Sequence, residues 1–220
     1  MSVGPLEWHG EHLPFCTDPI RAYYVVKKVW ERTGGVLLPP LHIGTDRFIE
    51  KNRRTLWGME KYAGCRLPGS LFIPEKTMRD LVKGILLFLE REGFRLCVLC
   101  TGHEARNQIK IIDNMQKQFA PRQMKVVSWY ATKAGYPSYF GNQDIYHAGT
   151  EETSELLAID KKLVELGRAG RLPRDKKVRL IKKHLMHANP KIGGQRLQFE
   201  IETLYGIVKE QMKLLKLRLR

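Results

Sequence analysis

The chain has 220 residues, 43% of them hydrophobic, and carries 38 Lys and Arg against 23 Asp and Glu, a formal net charge of +15. These values are those of an ordinary soluble globular protein, and one domain over residues 1–220 is expected. No run of 18 apolar residues exists, which excludes a transmembrane helix. The opening MSVGPLEW lacks the basic and apolar blocks of a signal peptide, so a cytoplasmic protein is expected.

In chain order, a short strand is expected at residues 2–6, followed by the polar stretch LEWHGEHLPFCTD. DPIRAYYVVKKVWERTG reads as a helix, with Asp18 as N-cap, Pro19 in the first helical position and Gly34 as C-cap. GVLLPP, residues 35–40, reads as a buried strand, and residues 41–70 as irregular. IPEKTMRDLVKGILLFLEREG reads as a helix with Pro74 near its start and Gly93 at its end. FRLCVLC is the next strand, GHEARNQIKIIDNMQKQF a helix and MKVVSW another strand. A long loop runs to about Gly149. TEETSELLAIDKKLVELG then reads as a helix, and apolar residues recur at helical spacing from about Gln195. Strands alternating with helices predict an α/β fold with a mostly parallel sheet covered on both faces. Ligands in such folds sit beyond the carboxyl ends of the strands.

Two features have competing readings. Residues 161–220 hold 17 Lys or Arg against 5 Asp or Glu, which makes a basic helical C-terminal part. Few aromatics interleave and no nucleic-acid motif is present, so a solvated basic surface is favoured over nucleic-acid binding. Cys97 and Cys100 form a C-x-x-C inside an apolar strand. Residues three apart on a strand face opposite sides, so buried thiols are expected rather than a metal or redox pair.

Three polar clusters stand out. Glu7 and His9 lie two apart, so extended backbone points both to one side, roughly 6–7 Å apart along the chain. That spacing suits ligands to two neighbouring metal ions. Asp18 has two carboxylate oxygens with which to bridge such ions; its other reading is a helix cap. His103 directly follows a strand, where an active-site residue belongs; its other reading is a solvent-facing first-turn histidine. His147 and Glu152 flank a Gly-containing turn that opens a helix, and Glu152 also reads as a first-turn acid favoured by the helix dipole. His42, His184 and His187 have no supporting neighbours and read as surface or structural residues.

Taken together, these stretches resemble the creatininase (creatinine amidohydrolase) family. Glu7 to Asp18 matches E-x-H-G-x-H-L-P-x-x-T-D at every fixed position, and His147 to Ser154 matches H-A-G-x-x-E-T-S completely. Gly102, His103 and Asn107 match the intervening G-H motif in part. RLPGSLFIPEKT resembles the segment ahead of the central helix, and KIGGQRLQFEIETLYGIVKE weakly echoes the C-terminal glycine turn and helix.

The resemblance implies a three-layer α/β/α domain with a two-metal centre, often in a homo-hexamer, holding zinc, manganese or iron, with zinc the first expectation. Glu7, Asp18 and His103 would hold one ion, and His9, Asp18 and a further carboxylate the other. Members with a Glu two residues after the second-motif His use it; here that position is Ala105, and Glu152 is the replacement candidate, ahead of Glu104. The implied activity is metal-dependent cleavage of a non-peptide C–N bond, in a cyclic amide or a formamide, by a metal-activated water. His147 would protonate the departing nitrogen, because an imidazole titrates near working pH. Asp144 would orient His147 or touch substrate. Arg106 stands where the family usually has Asn, and Gln143 where creatininase itself has a Trp that packs on creatinine. Those two changes point away from creatinine and toward an anionic small-molecule amide. Two other readings stay open. One is a catalytically impaired binding or assembly component, if Arg106 projects into the second metal position and repels a cation there. The other is a nucleic-acid-associated protein acting through the basic C-terminal part.

Overall fold

A computed structural model describes residues 1–64, 66–67, 69–135, 147–171, 185 and 187–217. Its central sheet is parallel, with β1 (Ser2–Val3), β4 (Leu96–Thr101) and β5 (Lys125–Trp129) in the order β1-β4-β5. Between β1 and β4 the chain forms α1 (Thr17–Thr33), an antiparallel hairpin of β2 (Phe48–Lys51) and β3 (Arg54–Trp57), the short α2 (Glu60–Ala63), and α3 (Glu75–Arg91). Helix α4 (Arg106–Phe119) joins β4 to β5. After β5 come α5 (Ala131–Ala134), α6 (Thr150–Ile159), two 3-10 turns (Lys161–Leu163 and Leu166–Arg171) and α7 (Pro190–Leu214).

The period-two alternation of the strands divides the core into two. Cys97, Leu99 and Val126 pack with Met78, Val82 and Leu86 of α3 and with Ile112 and Met115 of α4. Cys100, Val127 and Trp129 face the other way, onto Val25 and Val29 of α1 and Leu197, Ile201 and Leu204 of α7. Helices on both faces give the expected three-layer α/β/α arrangement with a parallel sheet. Cys97 and Cys100 are free, buried and on opposite faces, as their spacing predicts, and burial pushes both thiols up.

Several local expectations are corrected. The first strand is Ser2–Val3, and Leu6 bridges Leu71 instead of extending it. GVLLPP is not a strand: Val36 is 62% exposed, and Leu41 alone, just past Pro39 and Pro40, bridges β1. Proline offers no N–H to a ladder, so pairing begins only where Leu41 donates to the Ser2 carbonyl at 3.0 Å. Residues 41–70 contain a hairpin and a short helix rather than irregular chain. The helix expected through residue 167 stops at Ile159, because Asp160 is extended and its side chain accepts from Lys162 N at 2.9 Å. Gly34 closes α1 at φ 75° as expected, whereas the N-cap is Cys16 rather than Asp18.

Candidate metal centre

The site lies beyond the carboxyl end of the sheet. His103 follows β4 by two residues, and Asp18 stands in the first turn of α1. Gly102 makes their meeting possible, since a β-carbon there would lie 2.1 Å from the Asp18 carbonyl oxygen. Glu7 and His9 come from the segment after β1, and Glu152 from the first turn of α6. Helix α6 is pressed against α7 at Gly193, where a β-carbon would meet the Ser154 carbonyl at 2.0 Å.

Three groups of three side chains result among the described residues; Asp18 belongs to two of them, and Glu7, His9 and His147 form the third. Of the two sets that share Asp18, Glu7, Asp18 and His103 form one; His9, Asp18 and Glu152 form the other. Within each set the ligating atoms lie within 4.8 Å of one another. His103 Nδ1 is 3.1 Å from both Glu7 Oε2 and Asp18 Oδ2. His9 Nε2 is 3.3 Å from Asp18 Oδ1 and 3.8 Å from Glu152 Oε2. The Asp18 oxygens therefore divide between the two histidines, and neither caps α1, which corrects that expectation. The Glu7 carbonyl lies 3.0 Å from His9 Nδ1, which fixes that ring and leaves Nε2 facing the carboxylates. His147 also arrives: its ring lies 4.3 Å from His9, its Nδ1 is 3.9 Å from Glu7 Oε2, and its Nε2 is 2.6 Å from the Trp8 carbonyl.

Three carboxylates in one buried space require positive charge between them. Burial alone would raise Glu7 and Asp18, but the facing histidines hold Glu7 below and Asp18 well below the usual carboxylate range. Burial would likewise lower the imidazoles. Asp18, Glu152 and Glu7 instead carry His9 up to about 10, and Glu7 and Asp18 hold His103 well above its ordinary value. Burial pushes Glu152 up despite His9 and His147. Glu7 Oε2, His9 Nε2 and His103 Nε2 are buried without a hydrogen-bond partner. Glu7 Oε2 and His9 Nε2 face the shared Asp18 region, whereas His103 turns Nδ1 to it and Nε2 toward Asp46. Unpartnered buried donors of this kind fit cations, and mixed nitrogen and carboxylate donors suit zinc, manganese or iron.

A cavity of about 660 Å³ opens onto Glu7, Asp18, His103, His147 and Glu152, a volume suited to a small molecule. Arg106 is exposed on its lining, and no ion pair joins it to Glu7, Asp18 or Glu152. Glu104 also lines the cavity, but its carboxylate accepts from Thr132 rather than joining either set. Gln143 and Asp144, expected near substrate, lie outside the described residues, as does His184.

The structure adds residues that the sequence reading did not single out. Asp46 Oδ2 stands 3.9 Å from His103 Nε2, and nothing in its local sequence marks it. Arg21, buried one turn after Asp18, binds Glu155 and reaches the Gly102 carbonyl at 3.4 Å. Glu155 sits one turn after Glu152 and also accepts from Arg196 Nε at 2.9 Å. This pair ties together α1, the β4–α4 connection and α6, each carrying a member of the two sets. The i+3 spacing from Asp18 and Glu152 was a usable signal for both residues. His12 links the first motif to α6 through Thr153 Oγ1 at 3.1 Å, and burial takes it down to about 4, a neutral imidazole.

Comparison with known proteins identifies the family. A family model described as creatininase, creatinine amidohydrolase, matches residues 1–193. A creatinine amidohydrolase of Pseudomonas putida is 30% identical over 185 residues, which span 76% of this chain and 66% of that enzyme. A solved structure described as creatininase Mn is 25% identical with a TM-score of 0.70, over 95% of this chain and 88% of that one. A creatininase variant described as Zn-Zn type is likewise 25% identical with a TM-score of 0.70, over 96% and 90% of the two chains. On its motifs, its fold and these matches, the chain belongs to the creatininase family.

Proposed function

We propose that the chain is a metal-dependent amidohydrolase that cleaves a non-peptide C–N bond in a cyclic amide or a formamide. The carrying observation is the pair of three-residue sets that share Asp18 and face one cavity. Glu7, Asp18 and His103 would hold one divalent cation, and His9, Asp18 and Glu152 the other; zinc, with manganese or iron as alternatives, suits the donors, and two solved relatives are described as Mn and Zn-Zn forms. Such a cation pair, when bound, lowers the pKa of a water toward neutrality and polarises a carbonyl.

The protein's own groups do the rest. In this reading His147 holds a proton at Nδ1, 3.9 Å from Glu7 Oε2, while Nε2–H donates to the Trp8 carbonyl at 2.6 Å. Delivery of that proton to the departing nitrogen avoids expelling an amide anion, a very poor leaving group. Glu152, whose carboxyl is raised by burial, stands next to this path. In this reading residues 1–220 act as one domain in a cytoplasmic homo-oligomer, hexameric by family habit. Gln143 argues for a substrate other than creatinine. The alternative of a binding component with an occluded second site needs Arg106 to project into the second metal position, and its exposed side chain counts against that.

The test is elemental analysis of protein purified without chelator, alongside a panel of cyclic amides and formamides assayed with added zinc, manganese or iron. Activity that rises through neutral pH, and loss of metal in Glu7→Ala and His103→Ala, are expected. Near-stoichiometric metal persisting in both variants would reject the site.

A further inference from the structure

We infer that the cavity mouth carries a receptor for an oxyacid anion, carboxylate or phosphate, built from Arg47 and Arg106 beside His103. The inference rests on the amidohydrolase reading and names its substrate class: an amide bearing such an anion away from the bond that is cut.

Five Lys or Arg side chains line the cavity among the described residues. Three have carboxylates facing them. Arg21 pairs with Glu155, Arg196 pairs with Glu151 at 2.7 Å and Glu155 at 2.9 Å, and Lys61 pairs with Asp46 at 3.1 Å. Arg47 and Arg106 have no carboxylate partner among the described residues, and both side chains are exposed on the lining. Arg106 opens α4, whose first turn contains no acidic residue to neutralise it. Arg47 adjoins Asp46, which faces His103 Nε2 at 3.9 Å, and Arg106 follows His103 by three residues. Both unpaired cations thus line the cavity onto which Glu7, Asp18 and His103 open, from the chain segments next to Asp46 and after His103, whereas the α6 lining, with Glu151, Glu152 and Glu155, is acidic.

A neutral ligand gains nothing from two uncompensated guanidiniums. A carboxylate or phosphate gains charge-assisted, forked hydrogen bonds from each, and the planar fork also sets its direction. The charge asymmetry therefore orients the substrate. Its anion lies toward the start of α4 and the loop before the hairpin, and its C–N bond lies over the ligand sets.

The test has two arms. Calorimetric titration with inorganic phosphate and with acetate compares the metal-containing wild type with Arg47→Met, Arg106→Met and the double variant. Each single loss should weaken binding of the better anion by about tenfold, the value of one charge-assisted contact, and Arg→Lys at each position should restore part of it. Unchanged binding in the double variant overturns the inference. In the second arm, kcat/KM for N-formylglycine is compared with that for its neutral amide. The wild type should favour the anion, and the double variant should lose that preference mainly through KM. Equal values in the wild type overturn the inference. If neither compound is cleaved, the hydrolase reading is decided by the amide panel and the metal analysis, and the phosphate and acetate titrations still decide whether the receptor exists.

Discussion

The two ligand sets share Asp18 but are held in different ways. Glu7, Asp18 and His103 are all buried, and they come from the segment after β1, the start of α1 and the end of β4. Segments following the ends of β1 and β4 carry Glu7 and His103, and Asp18 stands on α1 pressed against Gly102. The second set takes Glu152 from α6, where its side chain is 13% exposed and Oε2 also accepts from Ala148 N. Ala148 has φ 53°, a left-handed conformation costly for a residue with a β-carbon, so Glu152 also stabilises the turn that opens its own helix. One set is buried throughout; the other depends on a carboxylate with two tasks. The first set should therefore bind its cation more tightly than the second.

The largest expected effect removes what the sets have in common. Asp18→Asn takes a negative charge from both at once and should empty both, read as near-zero metal by elemental analysis together with loss of amide hydrolysis. The loss of affinity should exceed the roughly 10- to 100-fold typical of an outer-shell partner. Retention of one full equivalent would show that the sets are independent and that Asp18 does not bridge them.

The next effects separate the sets. Glu152→Gln should leave about one equivalent bound, because Glu7, Asp18 and His103 are untouched and the glutamine oxygen can still accept from Ala148 N. His103→Gln should perturb the tighter site and, through Asp18, weaken the other as well. Should Glu152→Gln lose both ions while His103→Gln keeps one, the order of affinities is the reverse of that argued here.

His147 distinguishes catalysis from ligation, since it lies near Glu7 and His9 and forms a third three-residue group with them. If its work is proton delivery, His147→Asn should lower kcat by about 10²- to 10⁴-fold with metal content unchanged. A fall in bound metal would instead make it a ligand of a rearranged site.

How far the sequence could be read follows the same division. FRLCVLC and MKVVSW are legible as buried strands because burial on both faces makes them nearly continuous apolar runs, with Arg95 and Lys125 near their starts and Ser128 satisfied by Asp113 and Gln116. The ligand sets are legible because their members lie within short motifs; Glu152 was reached as the replacement for the carboxylate absent at Ala105, and it does converge with His9 and Asp18. Asp46 was not legible, because only the folded path of residues 41–73 brings it to His103. The hairpin was missed for a local reason: its turn, Asn52 and Arg53, has φ 51° and 60°, and the second of these left-handed positions normally advertises itself with Gly. GVLLPP misled because an apolar run was counted as a strand without regard to the N–H groups that Pro39 and Pro40 lack.

The smallest expected effect serves as a control on the comparison, since it should change stability without favouring either set. Glu200 on α7 is buried and accepts from Trp129 Nε1 at 2.9 Å. Burial, only partly offset by Arg21 and reinforced by Glu155 and Glu104, pushes its carboxyl from 4.5 up to about 7. Below pH 4.5 it is protonated in both folded and unfolded chains and contributes no pH dependence. Between 4.5 and 7 the folded protein keeps a proton that the unfolded chain releases, so stability falls as pH rises through that window. Above 7 the full penalty stands, on the order of 3 kcal/mol. Glu200→Gln, which retains an acceptor for Trp129, should therefore raise the denaturation midpoint at pH 8 and leave it nearly unchanged at pH 4.5, with both metal equivalents intact. An equal gain at the two pH values would mean that the carboxyl is charged throughout. Arg21 would then be compensating Glu200 as well as Glu155, and the clamp holding Asp18 and Glu152 in place would be shared by both acids.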